Sequence, residues 1–403
     1  MPRSGDASNA RRHWFFIAAG GVLIAAGLFI VFRYLQVYRF IPSDFTQDYH
    51  AAEALRAGET IYGGRNHHPP LMAVLVVPLT FLPYETVFVL WGLGSLALYL
   101  ACIWGVMRNL DLRLGVWWVP LIGVALVWYP FLAHVALGQW SLIIATCVFG
   151  GWALLKRNHG MASGALFGFA TALKLFPALV SLYLLTQRRW RALVLMGLAF
   201  VACTAFSFAV VGPADFWTYV YEEAPSNSAR YVVFPTNHSL WGMTSRLLID
   251  NRWVEPVVDA PQVAQGINIT LCGLVVGVLT LGLWRLPNAF SQDMGFAAVC
   301  VAMLLLSPLT WQNAFVLLVL PLGVLLRALQ RHPTRRLRLT LLLLFILLTI
   351  PDIPWARTLI TVSKSYPMPW PWGLALLVPV SVQWILLGML LVRLPMVAWI
   401  IYD

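Results

Sequence analysis

Apolar runs of about 20 residues recur along this chain, and each is long enough to cross a bilayer as a helix. In hydrocarbon every backbone N–H and C=O must be satisfied within the protein, which permits helices and excludes lipid-exposed loops and open strands. Composition points the same way. Of 403 residues, 60% are hydrophobic and 11% charged, against about 25% charged in soluble domains. The 19 Trp and 13 Tyr suit the aromatic belts at membrane surfaces. A net charge of +11 is no nucleic-acid signature here, because the basic residues gather in short stretches between apolar runs, as the positive-inside rule requires. The expectation is an all-α polytopic membrane protein, a single integral domain over residues 1–403, in contact with membrane lipid and with no nucleic acid.

Residues 14–32 make too long an apolar run for a signal peptide, and no small-residue cleavage site follows. They read as the first span, with Arg3, Arg11 and Arg12 keeping the N-terminus in the cytoplasm. Residues 37–70 then form a first outer loop, and residues 212–261 a second. Counting onward to Arg393 predicts about ten spans and two partial insertions. One insertion, residues 71–82, is too short to cross. The other, residues 161–186, has basic residues at both ends and Lys174-Leu-Phe-Pro177 in its middle, a charge followed by a helix breaker, which predicts a hairpin or broken helix. The five cysteines sit singly in apolar runs, as small core residues do.

The first outer loop is the least lipid-compatible stretch. Ser43 can cap a helix starting at Asp44, and Gly58 can end it. Asp44 and Asp48 are four apart and so share a face. Asp44 in the first turn favours the ionised carboxylate, the state a general base needs; the plain alternative is that the two carboxylates only solvate a surface helix. That pair could hold a divalent ion, although two carboxylates alone do not decide it, and no outer Cys/His set completes a zinc site. His67-His68-Pro69-Pro70 offers at most one histidine to a site, since adjacent side chains diverge. Lys174 is one of three lysines in the chain. Inside an apolar segment it is a functional-site candidate by default, set against the plain alternative of a lysine snorkelling to the surface. Gln139, Asn237, His238, Arg246 and Gln312 stand at other outer ends. No phosphate-binding loop or dinucleotide fingerprint is present, so no cofactor is indicated.

The order Asp44-Phe45-x-x-x-Tyr49, Ala51-Ala52, Gly58, Tyr62 and Pro69-Pro70-Leu71 resembles glycosyltransferase family 87. Leu137-Gly-Gln139, Ala172-Leu-Lys-Leu-Phe-Pro177, Asn237-His-Ser-Leu240 with Arg246, and Ser307-Pro308 with Trp311 continue the resemblance through most of the chain. The motifs are short, and their specificity lies in the series. His68 stands where the family commonly has tyrosine, and His238 where glutamine often follows the asparagine. The resemblance implies a GT-C bundle whose first outer loop supplies the catalytic carboxylate, here Asp44, with Asp48 as second choice. It implies a polyprenyl-phosphate-sugar donor, with mannose the family-weighted sugar, and a glycolipid or polysaccharide acceptor. The expected location is the bacterial inner (plasma) membrane, with the active site on the extracytoplasmic side. His67, His68, Gln139, Lys174, Asn237, His238, Arg246 and Gln312 are the substrate-binding candidates. A lipid phosphate leaves readily, so one base suffices for an inverting displacement, unlike glycoside hydrolysis with its two carboxylates. The alternative from another class is a flippase or transporter of lipid-linked saccharides, which would thread polar residues along several spans.

Overall fold

The structure, a computed structural model, describes residues 4–64, 66–284 and 286–392, with side chains from residue 13 onward. Arg3, Arg393 and the side chains of Arg11 and Arg12, which mark the cytoplasmic face in the sequence reading, lie outside the described residues. Helix α1 (Ser4–Tyr38) leads to α2 (Asp44–Ala57), the short α3 (Pro70–Val76) and the long α4 (Tyr84–Asn109). Then come α5 (Trp118–Leu126), α6 (Tyr129–Leu137), α7 (Ser141–Lys156), α8 (Gly160–Leu173), α9 (Val180–Thr186), α10 (Trp190–Thr218), α11 (Ala224–Tyr231) and α12 (Leu240–Leu248). The chain closes with α13 (Pro261–Leu283), α14 (Ala289–Leu306), α15 (Val319–Arg331), α16 (Arg335–Thr349), α17 (Asp352–Ser363), α18 (Trp370–Gly373) and α19 (Val378–Leu391). Among the described residues the β-type contact is an isolated bridge between Val254 and Met368. This is an all-α integral membrane protein.

Seven of these helices are long and apolar enough to cross a membrane, or nine if two bent pairs each count as a span. One pair, α5 and α6, bends by 46° just before Pro130, whose ring removes a helix hydrogen bond and clashes with the preceding turn. The other, α16 and α17, bends by 77°. The expected count of about ten included α7, which at 16 residues is about 24 Å long and falls short of a full span. Even so, α7 runs the depth of the bundle. It starts beside Trp140, which is bonded to Asp48, and ends at Lys156, whose Nζ donates to the carbonyl of Asn109 at the end of α4 (2.8 Å).

The broken insertion is as expected. Helix α8 stops at Lys174, where the backbone is extended (φ −148°, ψ 142°), and the chain turns back through Pro177 into α9. Most of the first half of the segment 212–261 is helical. At Gly212 (φ +83°, ψ 167°) the backbone leaves helical geometry, so α10 is two helical pieces meeting at a kink beside Pro213, and a π-helical turn at Tyr219–Glu223 passes into α11. The polar composition of this stretch carries no helical periodicity that would have announced these helices. The Pro/Trp-rich stretch after Ile350 likewise contains α17 and α18.

At the centre is α14, buried on every side from Met294 to Leu305, which is why it is hydrophobic all round. It packs on α9, α13, α15 and α19. Where two helices come closest, α8 to α10, the sequence supplies Gly164 and Gly168, one turn apart; a Cβ on either would strike the α10 backbone at Ala192 or Met196. Small residues at this spacing let helices meet without a hydrophobic driving force. Gly168→Leu should therefore lower the melting temperature of the detergent-purified protein, at an overpacking cost of about 1–3 kcal/mol. Gly197→Leu, where a Cβ meets open space, should leave it unchanged.

Candidate active site

The site begins with how α2 is seated. Thr46 Oγ1 accepts the Ser43 N–H (2.9 Å), and Gly58 (φ +76°) closes the other end. Phe45 is fully buried against Trp91, Phe88 and Tyr84, and Tyr49 Oη donates to the Leu82 carbonyl at 2.7 Å. Gly138 (φ +62°) ends α6 beneath this contact, where a Cβ would stand 2.5 Å from that of Phe45. Glycine is needed there twice over, for the left-handed turn and for the close approach. The turn aims the next residue, Gln139, at α2.

The Gln139 Nε2 donates to Asp44 Oδ2 in a short contact, and its Oε1 accepts from Lys174 Nζ at 3.4 Å. One carboxamide thus joins the loop carboxylate to the lysine at the helix break. Asp48 is disposed differently. Its Oδ2 accepts from Trp140 Nε1 (2.9 Å), its Oδ1 from His68 Nδ1 (2.8 Å), and its side chain is 1% exposed. With both oxygens so engaged, Asp48 faces Trp140 and His68 rather than an ion shared with Asp44. Among the described residues no group of three or more His, Cys, Asp or Glu side chains could hold a metal ion.

Burial pushes the Asp44 carboxyl above its ordinary range, and neighbouring Asp48 adds to this; His68, Lys174 and the Gln139 hydrogen bond pull the other way without cancelling it. For His68, burial disfavours the cation, but the Asp48 carboxylate and its hydrogen bond outweigh burial, with help from Asp44, so its pKa rises. The ring's Nδ1 is bound to Asp48, which leaves Nε2 for the site.

Two cavities meet at Asp44, His67, His68, Trp311 and Asn313. One, about 280 Å³, extends toward Tyr34, Tyr38, Tyr129, Gln312 and Asp352. The other, about 420 Å³, holds Lys174 and Gln139 with apolar walls from Leu175, Phe176, Leu179 and Met303. Asp44, His67, His68, Gln139, Lys174 and Gln312 of the sequence candidates therefore line one cavity or both. His67 is braced by Glu223 at 2.6 Å, and Asp215 holds Thr60 and Ile61 (2.6 and 3.0 Å), tying the first loop to the kinked arm.

Asn237, His238 and Arg246 line neither of these cavities. Asn237 Oδ1 accepts from the Thr310 and Ser239 N–H groups (3.0 and 3.2 Å), while Nδ2 donates to the carbonyls of Val232 and Pro308 (both 3.0 Å). Arg246, 1% exposed, donates through one terminal nitrogen to the carbonyls of Phe234 and Asn237 (2.7 and 2.8 Å). These residues clamp the segments that carry Phe234 and Trp311 to the cavity walls. Sequence reasoning missed Glu223 and Asp352, and noted Trp140 only as part of a turn. An acid directly after the apolar run 339–350 was the available signal for Asp352. Asn237→Leu should orphan several buried backbone groups at about 1–3 kcal/mol each and show as a lower melting temperature.

Comparison with known proteins adds the lineage. The chain is 29% identical, over 76% of its length and 72% of the relative's, to the polyprenol-phosphate-mannose-dependent alpha-(1-2)-phosphatidylinositol pentamannoside mannosyltransferase of Mycolicibacterium smegmatis. It is 26% identical to the Mycobacterium tuberculosis protein of the same description, over 76% of this chain and 68% of that one. It is also 26% identical to a polyprenol-phosphate-mannose-dependent alpha-(1-2)-phosphatidylinositol mannoside mannosyltransferase of M. tuberculosis, over 64% and 62%. No solved structure matches. The profile of glycosyltransferase family 87 matches residues 66–308, starting after Asp44 and taking in His67, His68, Gln139 and Lys174. The match spans more than half of the chain, and the protein belongs to glycosyltransferase family 87.

Proposed function

We propose that this enzyme transfers mannose from polyprenyl-phosphate-mannose to a glycolipid hydroxyl, at the extracytoplasmic face of the bacterial plasma membrane, with Asp44 as general base. The observation that carries the reading is the Lys174–Gln139–Asp44 chain, which sets a cation and a carboxylate on the walls of one apolar-lined cavity. The mannosyl donor and lipid acceptor are those in the names of the relatives. Membership of a glycosyltransferase family replaces the flippase alternative.

In this mechanism the lipid phosphate lies against Lys174 and the Nε2 side of His68, and the polyprenyl chain runs along Leu175, Phe176 and Leu179. Asp44 takes the proton from the acceptor hydroxyl as that oxygen bonds to the anomeric carbon. The carbon–oxygen bond to phosphate breaks, and its electron pair stays on the phosphate, steadied by the cations. One displacement inverts the anomeric centre. Asp48, satisfied by Trp140 and His68, acts as a positioning residue that orients the His68 ring and raises its pKa. The two large outer segments, 37–70 and 212–261, act with the spans as one domain. The basic ends of the helices, where Lys156 meets Asp293 at 2.8 Å, face the cytoplasm under the positive-inside rule.

Asp44→Asn should lower kcat by about 10²–10⁴-fold, the usual worth of a general base, with donor binding retained, while Asp48→Asn keeps more activity. The assay is transfer of radiolabelled mannose from polyprenyl-phosphate-mannose to a mycobacterial lipid extract. Normal turnover by Asp44→Asn would sink the assignment. A base must be ionised, so activity should fall as pH drops through the raised Asp44 pKa, placing the acid limb above the ordinary carboxylate range. Lys174 lowers that pKa, so Lys174→Met should shift the limb to higher pH and raise the donor KM.

A further inference from the structure

Asp352 opens α17 at the sharp bend after α16, and the displacement just described makes no use of it. It is 8% exposed, and an unpaired buried carboxylate is costly, so what holds it is informative. Its N–H donates to Gln312 Oε1 at 2.9 Å, and Gln312 is itself locked by donating to the carbonyls of Leu348 and Ile350 (2.9 and 2.7 Å). Its Oδ2 lies 3.3 Å from His238 Nε2, and Oδ1 accepts the Ile353 N–H at 2.7 Å. Tyr129 lines the same cavity as this carboxylate. Gln383 Nε2 pins His238 from behind through its carbonyl at 2.8 Å. A carboxylate offers about four lone-pair sites, so these contacts leave acceptor capacity unused, and Asp352 lines a cavity.

That cavity is the 280 Å³ one, with Asp44 on one wall and Asp352 on another. Its chemistry contrasts with that of the Lys174 cavity. Among the described residues no Lys or Arg lines it, and away from the shared Asp44, His67 and His68 it offers hydroxyls, amides and the Asp352 carboxylate, so a lipid phosphate fits the Lys174 cavity better. Tyr34, Tyr38 and Tyr129 supply flat rings with polar tips. Rings that pack against C–H faces, beside a fixed carboxylate that accepts from hydroxyl groups, are complementary to a neutral sugar.

We propose that this cavity is the acceptor-sugar site, and that Asp352, positioned by His238 and Gln312, accepts hydrogen bonds from the acceptor sugar and selects a glycoside over a simple alcohol. The inference rests on the glycosyltransferase reading with Asp44 as base. It also gives His238 and Gln312 a role as positioning residues behind Asp352.

The test is saturable binding of octyl α-mannoside and octyl β-glucoside, with octanol as the sugar-free control, to full-length protein in nanodiscs. Wild type and Asp44→Asn should bind at least one glycoside and not octanol. Asp352→Asn should weaken that binding by about tenfold or more, the worth of hydrogen bonds to a charged group, with binding of polyprenyl-phosphate-mannose unchanged. In the transfer assay the acceptor KM should rise and the donor KM stay. The double variant Tyr34→Phe/Tyr38→Phe keeps the rings should Asp352→Asn fail to fold, and is expected to bind the glycoside several-fold more weakly. The proposal is overturned by no saturable glycoside binding to wild type, by glycoside affinity unchanged in the variants, or by equal loss of donor binding. Glycoside binding that depends on Asp352, with no transfer from any polyprenyl-phosphate sugar, would instead refute the proposed donor and leave the sugar site standing.

Discussion

A carboxylate and an ammonium group in a bundle that is mostly lipid-facing must be held together or not kept at all. Here the holding is done by one neutral side chain, the Gln139 carboxamide, which donates to Asp44 and accepts from Lys174. Much of the surrounding architecture serves that bridge. Gly138 turns the chain at the end of α6, Phe45 fills the space above it, and the break between α8 and α9 brings Lys174 to the same point. A continuous α8 would carry the lysine along a span, where an unpaired charge is expensive.

The two loop carboxylates show how environment separates residues that sequence treats alike. Both sit on one face of α2, yet Asp48 is buried between an indole N–H and an imidazole, while Asp44 stands in the wall shared by two cavities. Asp44 takes Gln139 Nε2 on Oδ2 and only a long contact from Gln47 Nε2 on Oδ1 (3.5 Å), so it is less tightly held than Asp48. Asp48 spends its charge on His68, which is drawn toward its protonated form as a result.

What could be read in advance was local. The Ser43 start and Gly58 stop of α2, the break at Lys174 and the shortness of residues 71–82 depend on capping, helix breakers and run length, all properties of neighbouring residues. The helices within 212–231 were not legible for the complementary reason. A polar, proline-bearing stretch has no apolar periodicity, yet helices form on either side of the Gly212 kink, and contacts such as His67–Glu223 hold them. Those contacts join residues more than a hundred positions apart. Arg246 and Asn237 had the composition of a binding cluster, yet they are spent on backbone carbonyls and amides that no sequence pattern identifies.

The sequence by itself determined the class, helices in a bilayer, because run length and hydrophobicity leave a membrane segment few alternatives. It also placed the polar residues at the ends of the apolar runs, since charges are costly in the hydrocarbon between them. Only the tertiary structure decided which of them line a cavity. Partner choice among buried polar groups is a contest over distance: Asp48 loses its freedom to Trp140, and Asp352 is held between Gln312 and His238. That contest is settled by how the helices pack, and it leaves no mark in any one segment of the chain.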